Sequence, residues 1–460
     1  MTRVSELSIL DEFSARGRFW LPGKESDAIP GQLTFSGNGI RLVLDGKFSI
    51  EELQSPGAIF GCNFRPPVIA GQTVEGESCM VLTAVTIDVG WNSCEFAANQ
   101  LLVGETHFGE AVPQPQRLLV SLTHLEDWAF TSMIQTSPGR PGTYEIIVPT
   151  ERVELIRIEA DRPYSTLALF GNAAIEQKPG EVHCATHCHF EANFPAPVAI
   201  SEAIEFVGHL SSLLSLLVGR AVRAKKIQLE FDRGSAAFFA PSRQRKSMTI
   251  RAPEMPLPLR VLDKGEQEIF RSWFEHSEQM KPVYELLLST MFEPDRYQQT
   301  IFLNLMQAIE SFHRRVYGGE IVTAEVYESV RAVLTGAIPK GTDLDLVEKL
   351  KNVLEFGNEP SLKKRLRSLC STLRPETIQA ILGADELTRF LQLLADMRNY
   401  FTHHNENLMP RIARIVGDPI AGYNLNQRLR AFAALLVLKH LGLDEEKAAR
   451  GLASRLGLAY

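Results

Sequence analysis

Cysteine is scarce. Six residues in 460 (Cys62, Cys79, Cys94, Cys184, Cys188 and Cys370) are scattered along the chain, which excludes the dense disulfide framework of a small secreted scaffold and favours a reducing compartment. Long apolar runs are missing too. "LSSLLSLLV" and "AFAALLVL" fall short of the about 20 residues that cross a bilayer, so no membrane span is expected. Positive charge is not in excess. Lys and Arg number 48 against 55 Asp and Glu, a formal net charge of -7. That excludes a protein that coats nucleic acid through its global field; a phosphate-bearing partner must be met by a local cluster. The opening "MTRVSELSILDEFSARGRFW" carries acids where a secretory signal is basic and then apolar, so a cytoplasmic location is expected.

What is present suffices for large cores. Hydrophobic residues make up 45% and charged residues 22%, a globular profile that needs no covalent staples. The length predicts two or three domains. The periodicity changes near residue 262. Before it, "GQLTFSGNGIRLVLDG" alternates around a Gly-Asn-Gly turn and reads as a hairpin. "SCMVLTAVTIDVG", "YEIIVP", "RVELIRIEA", "EVHCATHCHFEA" and "KKIQLEF" continue the strand pattern. One helix is expected near 201–220, with Ser201 as its N-cap. Residues 241–260, rich in Pro and Arg, read as a linker or exposed arm. After 262 the spacing is helical, with Pro282 marking a break or restart. The fold class expected is α+β: a β-rich domain over 1–262, then an all-α bundle over 263–460.

The stretch "MRNYFTHHNE" ends an apolar helical run. Arg398 and His403 form an Arg-x4-His spacing, which is weak alone and more specific with Asn399 between them. Asn399 and His403, four apart, share a helix face. Arg398 and His403, five apart, diverge on a regular helix; they meet if the helix loosens at Thr402, or across a two-fold dimer. The residue types fit RNA cleavage. A ribose 2′-OH is a built-in nucleophile that needs a base, an acid for the departing 5′-oxygen, and a cation at the phosphorane. Histidine serves the proton transfers and arginine forks onto phosphate.

"RNYFTH" resembles the R-N-x-x-x-H signature of HEPN-domain ribonucleases. "FLNLMQAIESFHRR" is similar to an early bundle helix of the ApeA-like HEPN group, and "GRFWLPGKESDAIPGQLTF" with "LSSLLSLLVGRAV" resembles the β-rich domain that accompanies it. The resemblance implies an anti-phage, abortive-infection endoribonuclease that is metal-independent and needs no cofactor. It implies a dimer or higher homo-oligomer through the HEPN domain, RNA (often tRNA) as target, and a phage protein as a plausible trigger. Arg398 and His403 would be catalytic, and Asn399 and Glu310 supportive. His404 beside them reads either as a further support that touches substrate or as a solvated neighbour. For Glu310, Arg314 at i+4 is the competing partner.

Other constellations compete. The basic run holding Lys363, Lys364, Arg365 and Arg367 can guide RNA phosphates or be a solvated face, and "PSRQRKSMTIR" reads the same way. "HCATHCHF" offers His183, Cys184, His187, Cys188 and His189. As a strand, however, it places the imidazoles on one face and the thiols on the other, so no metal is expected. The competing functions are a HEPN-fold module that binds RNA or protein without cutting, and a metal-dependent enzyme built on that strand.

Overall fold

The computed structural model describes residues 3–48, 65–109, 111–129, 134–138, 140, 144–149, 151–241, 250–262, 265–293 and 296–455. The chain forms two compact units. One comprises Met1–Leu214, Val222–Ala252 and Pro258–Arg260; the other comprises Ser215–Ala221, Pro253–Leu257 and Val261–Tyr460.

The first unit is built on β-structure. Fourteen described strands are linked by pairing into one sheet, and two more form a separate ladder. The expected hairpin is Ile29–Ser36 with Gly39–Leu44, closing at Ser36 opposite Gly39. Its alternation fixes its register: Leu33, Phe35, Ile40, Leu42 and Leu44 are all buried on one core with Phe19, Phe96 and Phe239. Phe35 meets Phe239 edge-on at 5.2 Å. The strand Phe13–Trp20 passes so close to its neighbour that a Cβ on Gly17 would strike the Gln72 carbonyl, which is why glycine stands there.

Three expectations in this region need correction. The helix of this region begins at Ile200 and not at Ser201. The Ala199 carbonyl accepts from the N–H groups of Glu202 and Ala203, so Ser201 lies inside the first turn. That helix, Ile200–Val218, is also long and apolar enough by length and composition to cross a bilayer, although 61% of its most apolar window is buried. The uninterrupted run was short because serines divide it; burial in the protein accounts for its apolarity. Finally, residues 242–249 of the expected arm lie outside the described residues, as does most of "PSRQRKSMTIR". The part that follows is no exposed arm, because Ile250, Ala252, Met255 and Leu257 are buried. The apolar side chains between its prolines decide its place.

Helices are labelled in chain order: α1 Leu125–Ala129, α2 Ile200–Val218, α3 Leu259–Leu262, α4 Glu266–Glu275, α5 Ser277–Phe292, α6 Gln298–Tyr317, α7 Ala324–Gly336, α8 Leu344–Glu355, α9 Leu362–Ser371, α10 Pro375–Leu382, α11 Leu387–His403, α12 Met409–Val416, α13 Pro419–His440 and α14 Glu445–Arg455. The break expected at Pro282 falls instead at His276, between α4 and α5, and Pro282 sits inside α5. In α6, Ile301, Phe302, Leu305, Met306, Ile309 and Phe312 recur at three and four and are buried, so one stripe faces inward. Gly318, at φ 87°, ends α6 where another residue would be strained. Packed against α6, α13 carries Leu425, Leu429, Phe432 and Leu435 into the core. Its start is fixed by Asp418, which accepts from the N–H groups of Ile420 (2.9 Å) and Ala421 (3.3 Å), with Pro419 at the first position. Helix α12 was not anticipated, because the polar end of "MRNYFTHHNE" gives no sign of a restart and the helix that follows is short.

Candidate active site

Helix α11 seats on the bundle through Leu391, Leu394 and Met397, which recur every three residues and are buried. Phe401 extends that stripe, its ring 5.5 Å from Phe302 of α6. The helix stays regular to its end. His404 turns left-handed at φ 50° and its N–H reaches the Tyr400 carbonyl at 2.7 Å. The Thr402 hydroxyl donates back to the Arg398 carbonyl at 2.8 Å.

Regularity sets the directions of the motif. At about 100° per residue, Asn399 and His403 lie about 40° apart, whereas Arg398 and His403 lie about 140° apart. Helix α11 does not loosen at Thr402, so a single chain does not aim the guanidinium and the imidazole the same way. Arg398 is half-buried on the flank of the core stripe; Asn399, His403 and His404 are exposed. No described residue hydrogen-bonds or ion-pairs with the side chains of Arg398, Asn399 or His403. The His404 ring stands edge-on to Tyr400 at 5.8 Å.

Two residues that the sequence reading missed shape this face. Asp396 is three residues before Asn399 and seven before His403, hence on the same side of α11. It is buried, accepts from Gln392 Nε2 at 2.8 Å, and holds Arg411 Nη1 of α12 at 3.5 Å. Gln392 in turn accepts from Lys363 Nζ at 2.8 Å. An acid three residues before Asn399 was the available signal, but only the fold brings α9 and α12 to it.

Glu310 does not reach the motif among the described residues. Its partner is Arg314, at 3.3 Å, the i+4 alternative. The basic run divides. Lys364 and Arg367, three apart, are exposed on one face of α9; Lys363 is half-buried on Gln392. Arg365 is removed from any phosphate surface, a correction to the expected grouping. It is 1% exposed, and its guanidinium donates to the Pro360 carbonyl (3.1 Å) and meets His313 Nδ1 at 3.3 Å and Glu359 at 3.5 Å. The helical period turns it inward between its exposed neighbours. Burial, with Arg365 and Arg314 beside it, lowers the pKa of His313 from its ordinary value.

The strand Glu181–Asn193 carries His183, Cys184, His187, Cys188 and His189 in an unbroken antiparallel ladder with Thr166–Lys178. Imidazoles and thiols therefore alternate between faces. Cys188 is buried, and its thiol pKa is pushed up to about 12 by burial and by Glu126. Among the described residues no group of three or more His, Cys, Asp or Glu is placed to hold a metal ion.

Comparison with known families assigns both halves. Residues 14–273 match the family of ApeA N-terminal domain 1, and residues 303–447, which hold most of α6 and all of α9 and α11, match the Apea-like HEPN family. No curated protein and no solved structure matches the chain. With a β-rich unit preceding a helical unit that ends one helix in Arg-Asn-x3-His, the chain belongs to the ApeA-like HEPN proteins of anti-phage defence.

Proposed function

We propose that the protein is a metal-independent endoribonuclease whose cleft is made by two copies of α11, and that it acts in abortive infection on RNA, with tRNA the first candidate. The observation that carries this reading is the unclaimed set on α11. Arg398, Asn399 and His403 stand at a helix end with their polar atoms free of every described residue. Structural ion pairs are satisfied internally, as Arg411 is by Asp396; groups kept for a ligand are not.

The chemistry follows from the groups. One His403 takes the proton of the ribose 2′-OH, whose oxygen attacks the adjacent phosphorus. Arg398 forks onto the non-bridging oxygens, where charge accumulates. The departing 5′-oxygen takes its proton from water, and His403 returns the proton it took to solvent. The products are a 2′,3′-cyclic phosphate and a 5′-hydroxyl. Asn399, on the imidazole face, orients His403 or donates to the phosphate. Lys364 and Arg367 guide the strand. The β-rich unit senses a phage-encoded trigger or holds the α11 pair in an unproductive geometry.

The test is purified protein with RNA in EDTA. Ends bearing 2′,3′-cyclic phosphate, absent with Arg398→Ala and with His403→Ala, are expected. RNA retained but uncut by the wild type, with and without a phage lysate as trigger, would establish the non-cutting binding module instead.

A further inference from the structure

Three arginines of the second unit, Arg220, Arg430 and Arg455, gather where α2 and α5 end, and no acid meets them among the described residues. Helix α2 stops at Val218, and Gly219, left-handed at φ 73°, sets Arg220 just past it. Arg455 is carried in by α14, which buries Ala448, Ala449, Leu452 and Ala453 and packs on α13. Its Nη1 donates to the Val218 carbonyl at 3.2 Å and lies so close to Gly219 that a Cβ there would strike it. Arg430 of α13 reaches the last turn of α5. Its Nε donates to Thr290 Oγ1 (2.9 Å) and its Nη2 to the Thr290 carbonyl (3.0 Å), while Nη1 donates to Gln427 Oε1 (2.7 Å).

Other half-buried or buried arginines of the chain meet carboxylates: Arg365 has Glu359, and Arg117 has Glu191 and Glu230. These three have no ion-pair partner. Arg220 has no side-chain hydrogen bond either, and its Nε is buried and unpaired. Burial lowers the pKa of Arg430 from 12.5. Burial, with the like charges of Arg220 and Arg430, draws that of Arg455 down to about 10, and the Tyr423 phenol opposes both shifts. Cations placed together in this way destabilise a fold unless an anion joins them.

Counting charge selects the anion. The ends of α2 and α5 each present about half a negative charge, which leaves about two of the three positive charges uncompensated. A phosphate monoester carries about −1.5 to −2 at neutral pH, whereas a backbone phosphodiester carries about −1. The cluster is also accessible. Arg455 is exposed, and Tyr423, Gln427 and Arg430 follow i, i+4, i+7 along a face of α13 on which Tyr423 is 51% exposed. Guanidinium groups fork onto phosphate oxygens, which suits them to this ligand. We propose that Arg220, Arg430 and Arg455 form a binding site for a terminal phosphate group, either free phosphate or the monoester of a nucleotide, with Arg220 reserved for that ligand. The site uses none of the α11 residues and stands whether or not the protein cuts RNA.

The test is thermal unfolding and calorimetric titration of the full chain in phosphate-free buffer, with ionic strength matched by sodium chloride. The probes are inorganic phosphate, AMP, adenosine and the phosphodiester ApA. Phosphate and AMP raise the melting temperature saturably, and adenosine does not. Equal affinity for the two points to free phosphate as the source; tighter AMP points to a nucleotide. Arg220→Gln weakens phosphate binding at least about 10-fold, the scale of one charge-assisted contact. Without phosphate that variant melts no lower than the wild type, because it removes a repelling charge and no hydrogen bond. Arg220→Lys, which keeps the charge and loses the fork, recovers part of the affinity. Phosphate that acts no better than chloride, or that binds Arg220→Gln as it binds the wild type, overturns the proposal. So does a lower melting temperature of Arg220→Gln in phosphate-free buffer, which marks Arg220 as structural. ApA bound as tightly as AMP overturns the choice of a terminal phosphate and assigns the arginines to an RNA backbone.

Discussion

Mixing Arg398→Ala with His403→Ala tests where the two reacting groups come from. Because α11 runs unbroken to His403, the two side chains leave it about 140° apart. If they act together across a two-fold axis, one site of a mixed dimer has both Arg398 and His403 intact and the other has neither. Each pure variant loses at least about 100-fold in cleavage, the scale of a lost proton-transfer group or phosphate contact. Random exchange makes half of the dimers mixed, so about a quarter of wild-type activity returns; mixed dimers isolated by two different tags show about half. The assay is cleavage of a fluorescent RNA with cyclic-phosphate end analysis. Isolated mixed dimers no more active than the pure variants would refute the two-copy cleft and require both groups to work from one chain.

Three further outcomes follow from the bundle. Lys364→Ala and Arg367→Ala each lower the salt slope of RNA binding by about 0.7 and leave stability unchanged, whereas Arg365→Ala costs about 3 kcal/mol in urea unfolding by stripping His313, Glu359 and two carbonyls of a buried partner. Glu445→Gln destabilises by about 3 kcal/mol: burial opposes its charge, but Lys439, the Arg374 N–H and Thr377 outweigh burial and draw its pKa from 4.5 to about 2, so this stability is present above pH 4.5 and fades toward pH 2 in acid titration. His313 and His440, lowered by burial from 6.5, bind protons more readily when unfolded, so melting temperature falls as pH drops below 6.5, and His313→Gln flattens the profile.

Much of this was legible in the residues. The change of period near 262, the Gly-Asn-Gly hairpin and the long helices α6, α11 and α13 were readable because local pattern and packing agree there. The break at His276 was not readable, because no proline or glycine marks it, whereas Pro282 stands inside α5. Arg365 was misplaced among surface bases because charge composition ignores phase: one residue in a basic run falls on the buried stripe with Leu366 and Leu369. Asp396 and Arg411 were invisible because their pairing is tertiary, made between α11 and a short helix whose start looked like a stop.

The position of the motif carries its own physical consequence. It lies at the C-terminal end of α11, where unpaired carbonyls present partial negative charge. Such an end repels a phosphate, the opposite of the helix N-terminus that anions ordinarily choose. A phosphodiester is held there only if full cations outweigh the carbonyls, and Asp396 occupies Arg411 in this chain. Arg398 is then the cation of α11 left unpaired, and a single guanidinium must counter both the helix end and the charge gained at the phosphorane. Because Arg398 and His403 of one copy leave α11 about 140° apart, the Arg398 of a second copy supplies that charge at the phosphate beside His403, which is the electrostatic reason to expect two helices and not one at the scissile bond.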